Sequence, residues 1–382
     1  MKPSPFTFDP RADTLLILRN PNATEQDECD AQVDSEPEYE SLGLGEAGLG
    51  GETNKARRDS PMTLDNDQRY PRGSLEDGSS TQIEFRVSSR HLSLASPVFR
   101  AMLESKFKES QLNEQGLYEV QASEWDAEAL VILLDIIHGH HRDVPKRISA
   151  ETLSHIAIIV DYYGCHEIME LVLTAWLTYF GQPEDFVKKD PLRWLFISWV
   201  FRQEVLFTVA TEMLLLYDNG KYVVDVPIPQ PILGSITPLL PLLSVANNVP
   251  DKVDDKRQYV LNTLFGHLYS YQQDLLEGKS GCSETCSSML LGSLMRQMRG
   301  KGLAAAKPAE SSFEGWRVED ARNMILGLTA PPWRVPGRST DHPCTLNKSL
   351  APRVNQVLQH AKGLDLKDFE GSPCAMFMSM SS

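Results

Sequence analysis

The stretch from Ile83 to Phe107 constrains this chain more than any other. Its first five residues, Ile-Glu-Phe-Arg-Val, alternate apolar and polar, so Ile83, Phe85 and Val87 share one face of a β-strand. The period then changes. Phe99, Met102 and Leu103 recur at i, i+3 and i+4, one face of a helix. Ser96 stands before Pro97 at the start of that helix. Proline gives up no needed N–H at the first helical position, and a serine before it caps the first turn. Strand, tight connection and capped amphipathic helix form an α+β arrangement.

The flanking segments extend this pattern. Thr14–Leu18 reads as an earlier strand, ended by Asn20-Pro21. Between it and Ile83 lies segment 22–80, with 15 Asp and Glu against five Lys and Arg. It is poor in aromatic and β-branched residues and cannot bury enough surface to offset its ordering entropy, so it is expected to be a disordered insertion. A hairpin tip tolerates such a length because closure entropy grows slowly with loop length. Leu117–Val120 reads as a third strand, and Ser123 with Asp126 resembles a capping box before Leu130–Leu134. Gly139 ends that helix. Ser149 caps the next, with Leu153, Ile156, Ala157 and Val160 on one face; Gly164 interrupts, and Ile168–Phe180 follows.

From Asp185 the chain reads as mostly helical. Pro191 opens one helix through Trp199, Glu204–Tyr217 is its antiparallel partner, Tyr222–Val226 is extended, and Asp254–Leu276 is a long amphipathic helix. Cys286–Met298, Val318–Leu328 and Leu350–Ala361 complete a C-terminal helical unit. Three regions result: 1–182, carrying the insertion; 183–276; and 277–382.

Charge and hydropathy exclude several function classes. Most of the formal charge of −15 lies in the insertion, and no basic stripe exists to neutralise phosphates, so no direct nucleic-acid partner is expected. The most apolar stretch, Trp194–Leu216, is interrupted by Arg202, Glu204 and Glu212, which makes it buried helix and not a membrane span. The N-terminus lacks the apolar core of a signal peptide, and six cysteines in such a chain do not suggest a disulfide framework. A soluble intracellular protein, cytoplasmic or nuclear, is expected.

Several motifs suggest sites, and most have a simpler structural explanation. Gly43-Leu-Gly45-Glu-Ala-Gly48 is a literal GxGxxG, but an acidic tract precedes it and Glu46 would repel a phosphate. Gly278-Lys279-Ser280 ends like a phosphate loop, yet Gln273 stands where the loop needs glycine. His138, His140 and His141 cluster at a helix C-terminus, where a cationic side chain suits the helix dipole, so they read as structural. No catalytic constellation and no organic cofactor site emerge from spacing. Cys282 and Cys286, at i and i+4 on a helix, would point the same way, and His342-Pro-Cys344 adds two donors. Cys282, Cys286, His342 and Cys344 would make a Cys3His set for a structural zinc; the alternative is four small side chains without a metal.

The Ile83–Phe107 pattern resembles the core of the BTB/POZ domain, a protein-binding fold that catalyses nothing. Asp13 matches the acidic residue before its first strand, and Phe85, Leu92, Ser96 and Phe99 match its core. The resemblance implies an α+β fold, a small sheet capped by helices, over Phe6 to Phe180. The family usually has a histidine where this chain has Ser88, and the N-terminal segment is short. A homodimer is therefore compatible with the resemblance, but its strand-swapped form is not favoured. The whole chain is also similar to BTB proteins of filamentous ascomycete fungi, through Arg193–Phe201, Cys282–Leu294, Pro332-Trp333, His342-x-Cys344-x-Leu346 and Gly363-Leu-Asp-Leu366. In BTB adaptors of cullin ubiquitin ligases a hydrophobic-x-Glu motif contacts the cullin; Phe107-Lys-Glu109 stands at that position. The plain alternative is that Phe107 caps the core. The resemblance thus implies a noncatalytic protein-binding chain. One version is a substrate adaptor for a cullin-type ligase, and the alternative is a scaffold or transcription-associated protein without a cullin. An enzyme is the third reading.

Overall fold

The computed structural model describes residues 6–22, 82–105, 107–219, 240–304, 313, 315–330, 332 and 343–369. The acidic stretch from 23 onward, Tyr222–Val226, Gly43–Gly48, Trp333 and His342 lie outside them. The chain divides into two compact units, one up to Val144 and one from Pro145.

The first unit is built on four strands, β1 (Phe6–Thr7), β2 (Thr14–Arg19), β3 (Gln82–Val87) and β4 (Tyr118–Ser123), in the order β1-β3-β2-β4. β2 and β3 are antiparallel; β1 runs parallel to β3, and β4 parallel to β2. Period-2 patterning sets the register. Phe85, Leu16 and Val120 form one buried row across the sheet, and Ile83, Leu18 and Ala122 the next. Arg19 pairs with Gln82, so the long acidic segment joins two adjacent strand ends, as expected for a hairpin-tip insertion. β1, which the sequence reading missed, is two residues long and pairs within its own chain, Phe6 beside Phe85.

Three helices accompany the sheet: α1 (Ser89–Ala95), α2 (Pro97–Glu104) and α3 (Ala127–Ile137). Ser96 Oγ accepts from Phe99 N at 2.9 Å, as its place before Pro97 implied. Asp13 holds the start of α1, its carboxylate accepting from Ser89 N (2.7 Å) and Ser89 Oγ (2.6 Å). Burial works to raise the Asp13 pKa, but these hydrogen bonds outweigh it and hold the carboxyl below its usual value. The expected capping box is corrected. Ser123 closes β4, and Asp126 is the cap of α3, accepting from Ala129 N at 2.7 Å. Asn22, counted with the insertion, belongs to the fold: its side chain accepts from Ala127 N at 2.9 Å. Every residue of α3 except Glu128 is buried, which explains why its apolar run has no amphipathic period.

The second unit is helical: α4 (Ala150–Tyr163), α5 (His166–Phe180), α6 (Pro183–Phe186), α7 (Pro191–Val200), α8 (Glu204–Tyr217), α9 (Leu240–Leu276), α10 (Glu284–Gly300), α11 (Val318–Leu326) and α12 (Leu346–His360). Ser149 caps α4 and the left-handed Gly164 ends it. α9 is the spine, with α8, α10, α11 and α12 against it. It starts 14 residues before the expected Asp254, because the helix runs through Pro250, which local rules read as a breaker. α12 likewise begins at Leu346, not Leu350, since Thr345 Oγ1 accepts from Lys348 N (3.2 Å) and Pro352 lies within the helix. Arg257 of α9 is only 2% exposed; its guanidinium reaches Asp254 Oδ1 (2.8 Å) and the carbonyl of Trp316 (2.6 Å). No helix among the described residues is long and apolar enough to cross a membrane.

Candidate functional site

Three sulfurs meet where α9, α10 and α12 come together. Sγ of Cys282, Cys286 and Cys344 all lie within 4.8 Å of one another. Cys282 and Cys286 do come together, but not as i and i+4 on one helix. α10 starts at Glu284 with Ser283 as its cap, so Cys282 stands before the cap, in the turn, and only Cys286 is helical. Gly281 makes that turn, with φ of 98°; a Cβ there would lie 2.7 Å from Ser287 Oγ and 3.3 Å from Cys286 Sγ. Cys344 occupies the same place on α12, one residue before its cap Thr345. Two helix N-termini therefore open onto the sulfurs, and their positive ends favour thiolate.

Burial pushes the Cys286 thiol up to about 11, helped by the neighbouring Cys344. A soft cation among the three would reverse that balance, since coordination deprotonates a thiol outright. The donor set suits zinc, which prefers thiolate and imidazole in a tetrahedron. The fourth expected donor, His342, lies outside the described residues. The sequence reading missed Tyr271 of α9. It is buried, hydrogen-bonded to Ser349, and close enough to Cys286 and Cys344 for both to contribute to raising its pKa, after burial itself. Its helical spacing marked it as core; nothing local pointed to the sulfurs.

The other expected contact residues lie in the first unit. Phe107 follows α2 and is 46% exposed, so it does not cap the core. Its carbonyl accepts from Ser110 Oγ (2.7 Å) and Ser110 N (3.2 Å), closing a single 3-10 turn over Lys108–Ser110. The main chain is thus fixed under an exposed ring, with Glu109 half-buried beside it in sequence.

The histidines do not converge as a trio. His138 Nε2 accepts from Ser88 N (3.1 Å) and its Nδ1 donates to Leu134 O (2.8 Å). The ring is neutral: burial lowers its pKa to about 4, with His91 and His140 adding to the effect against the Leu134 hydrogen bond. The cationic role at the helix end is therefore corrected, because the ring is desolvated and its second nitrogen must accept. His140 pairs with the buried Asp135 at 3.2 Å, with Asp143 within ligand distance of both, and His141 is exposed.

A family model for the BTB/POZ domain matches residues 78–176. The match runs from just before β3 into α5, and the sheet it implies is completed by β1 and β2 from before the acidic segment. No curated protein matches the chain. The fold is that of a BTB domain, a small sheet with helices, in a mainly helical chain. BTB/POZ domains are protein–protein interaction modules that also dimerise and are generally noncatalytic.

Proposed function

We propose that this chain is a noncatalytic substrate adaptor whose BTB region docks on a cullin through Phe107 and Glu109. The supporting observation is the exposure of Phe107 on a main chain fixed by Ser110. An aromatic anchor on a rigid turn loses little entropy on binding, and a neighbouring carboxylate sets its orientation. In this reading residues 1–182 form the docking domain, and 183–276 with 277–382 form the helical module that carries the target. Cys282, Cys286 and Cys344, with His342 as fourth ligand, hold a structural zinc that staples α10 and α12 over α9. In this reading the chain works in the cytoplasm or nucleus of a fungal cell, as its resemblance to ascomycete BTB proteins implies.

A pull-down of the tagged protein from fungal extract, read by mass spectrometry, tests docking. Wild type should recover a cullin, and Phe107→Ala with Glu109→Ala should lose it at unchanged melting temperature. Equal recovery by both would remove Phe107 and Glu109 from the interface. Reproducible partners without any cullin would replace the adaptor with a scaffold or transcription-associated protein.

A further inference from the structure

The last described residues form a strap. Ala361–Phe369 leaves the end of α12 and crosses the face made by α7 and α8. Side chains of α8 and α9 read its main chain. Thr211 Oγ1 accepts from Leu364 N (2.8 Å), and Thr208 Oγ1 donates to Leu364 O (3.1 Å). Glu212 Oε2 accepts from Gly363 N (3.4 Å), and Lys256 Nζ of α9 donates to Gly363 O (3.3 Å). Both polar groups of two successive residues are thus taken by side chains of the opposing surface.

Two anchors follow. Leu366 is 2% exposed and Phe369 is 6% exposed. The Phe369 ring stands edge-on to Trp199 (6.0 Å) and Phe207 (5.6 Å), with the Lys252 ammonium 4.1 Å from its centroid. Lys367 pairs with Glu204 at 3.1 Å. Gly363 sets the approach: a Cβ there would lie 1.9 Å from Thr208 O, a main-chain atom that cannot swing away. Hydroxyls, a carboxylate and an ammonium on main-chain groups, followed by an aromatic pocket, are how a surface recognises a peptide whose main chain is not paired within itself. Main-chain hydrogen bonds give affinity there and spaced pockets give specificity.

We propose that the α7–α8 face is a peptide-binding groove, filled in cis by the chain's own strap. It takes a protein segment that is irregular at glycine and the next leucine and then closes into a 3-10 turn, with leucine at +1 and +3 and phenylalanine at +6, the pattern of Gly363, Leu364, Leu366 and Phe369. The strap is a competitor: if it opens about 1% of the time, a segment in trans binds about 100-fold more weakly than to a vacant groove. The groove lies wholly in the second unit, and the inference goes beyond the docking reading without depending on it. For an adaptor, it is the surface that holds the target.

The test uses the full chain carrying Gly363→Ala and a fluorescent peptide with the sequence of residues 361–369, followed by anisotropy. The new methyl expels the strap and leaves the groove residues in place. The peptide should bind Gly363→Ala about ten-fold or more tightly than wild type. Adding Thr211→Val should remove that gain, because the acceptor for the leucine amide is gone. The cullin pull-down should be unchanged by Gly363→Ala, so failure of docking and failure of the groove are separate outcomes. Absence of binding to folded Gly363→Ala, or binding insensitive to Thr211→Val, overturns the groove. Collapse of the second unit in Gly363→Ala also overturns it, since the strap would then be an integral element. Hydrogen exchange on wild type gives a second decision. The Leu364 amide should exchange through a local opening, well ahead of the α8 amides; exchange together with α8 refutes a displaceable strap.

Discussion

In the first unit the buried rows Phe85–Leu16–Val120 and Ile83–Leu18–Ala122 form an unbroken apolar layer, and polar links such as Asp13 to Ser89 serve helix and strand ends. The second unit joins segments far apart in sequence through buried polar or thiol groups. Arg257 holds the Trp316 carbonyl, Cys286 meets Cys344, and Thr211 holds Leu364. Apolar area is non-directional and tolerates adjustment, whereas a directional buried contact leaves an unsatisfied group when one partner goes. The first unit should therefore weaken by increments, and the second should unfasten one segment at a time.

Removing the metal gives the sharpest form of this contrast. Purified protein should hold about one zinc per chain by elemental analysis. Cys286→Ser, or a strong chelator, should release it and forfeit binding energy on the order of 10 kcal/mol. Protease susceptibility should rise around α10 and α12, with the first unit still protected. Folded wild type without metal would remove the staple. Arg257→Ala comes next, because it leaves a gap where the guanidinium was buried and takes the donor from the Trp316 carbonyl, while Asp254 still reaches solvent. A loss of about 1–3 kcal/mol is expected, confined to the second unit in a two-transition melt. A loss spread over both transitions would show that the units do not fold separately.

Acid probes the first unit. His138 is neutral when folded, with its pKa lowered from 6.5 to about 4. The unfolded chain binds more protons between those values, so stability falls as pH drops through that window and is regained on neutralisation. The effect is at most about 3 kcal/mol, and protonation also ends the acceptor role toward Ser88 N. His138→Gln should flatten the pH dependence of the first transition between pH 6.5 and 4; an unchanged slope would assign the acid sensitivity to other groups. The smallest change in stability belongs to Phe107 and Glu109, within about 0.5 kcal/mol, as for surface positions generally. There the whole effect should be on binding.

Local rules were sufficient where local chemistry decides. Ser96 before Pro97, Ser149 and Gly164 are capping and termination signals that operate within one turn, and each stands where the residue pattern put it. The same rules placed the start of α9 too late, at Asp254, and misread Ser123, where the closer carboxylate of Asp126 caps α3. For the sulfurs, residue type and order were legible, but not the geometry: Cys282 approaches Cys286 through the Gly281 turn, and Tyr271 joins from a third helix.

The sequence by itself determined the apolar run of β2, the alternation of β3, the place of the acidic segment between them, the capped helices and the residues able to ligate a metal. All of these depend on period, composition or neighbours within a turn. Tertiary structure alone decided that His138 is neutral, that Phe107 is exposed, that Arg257 is buried, and that Gly363 lies against Thr208. Those properties depend on desolvation and on contacts between residues far apart along the chain, and neither is written in the spacing of residue types.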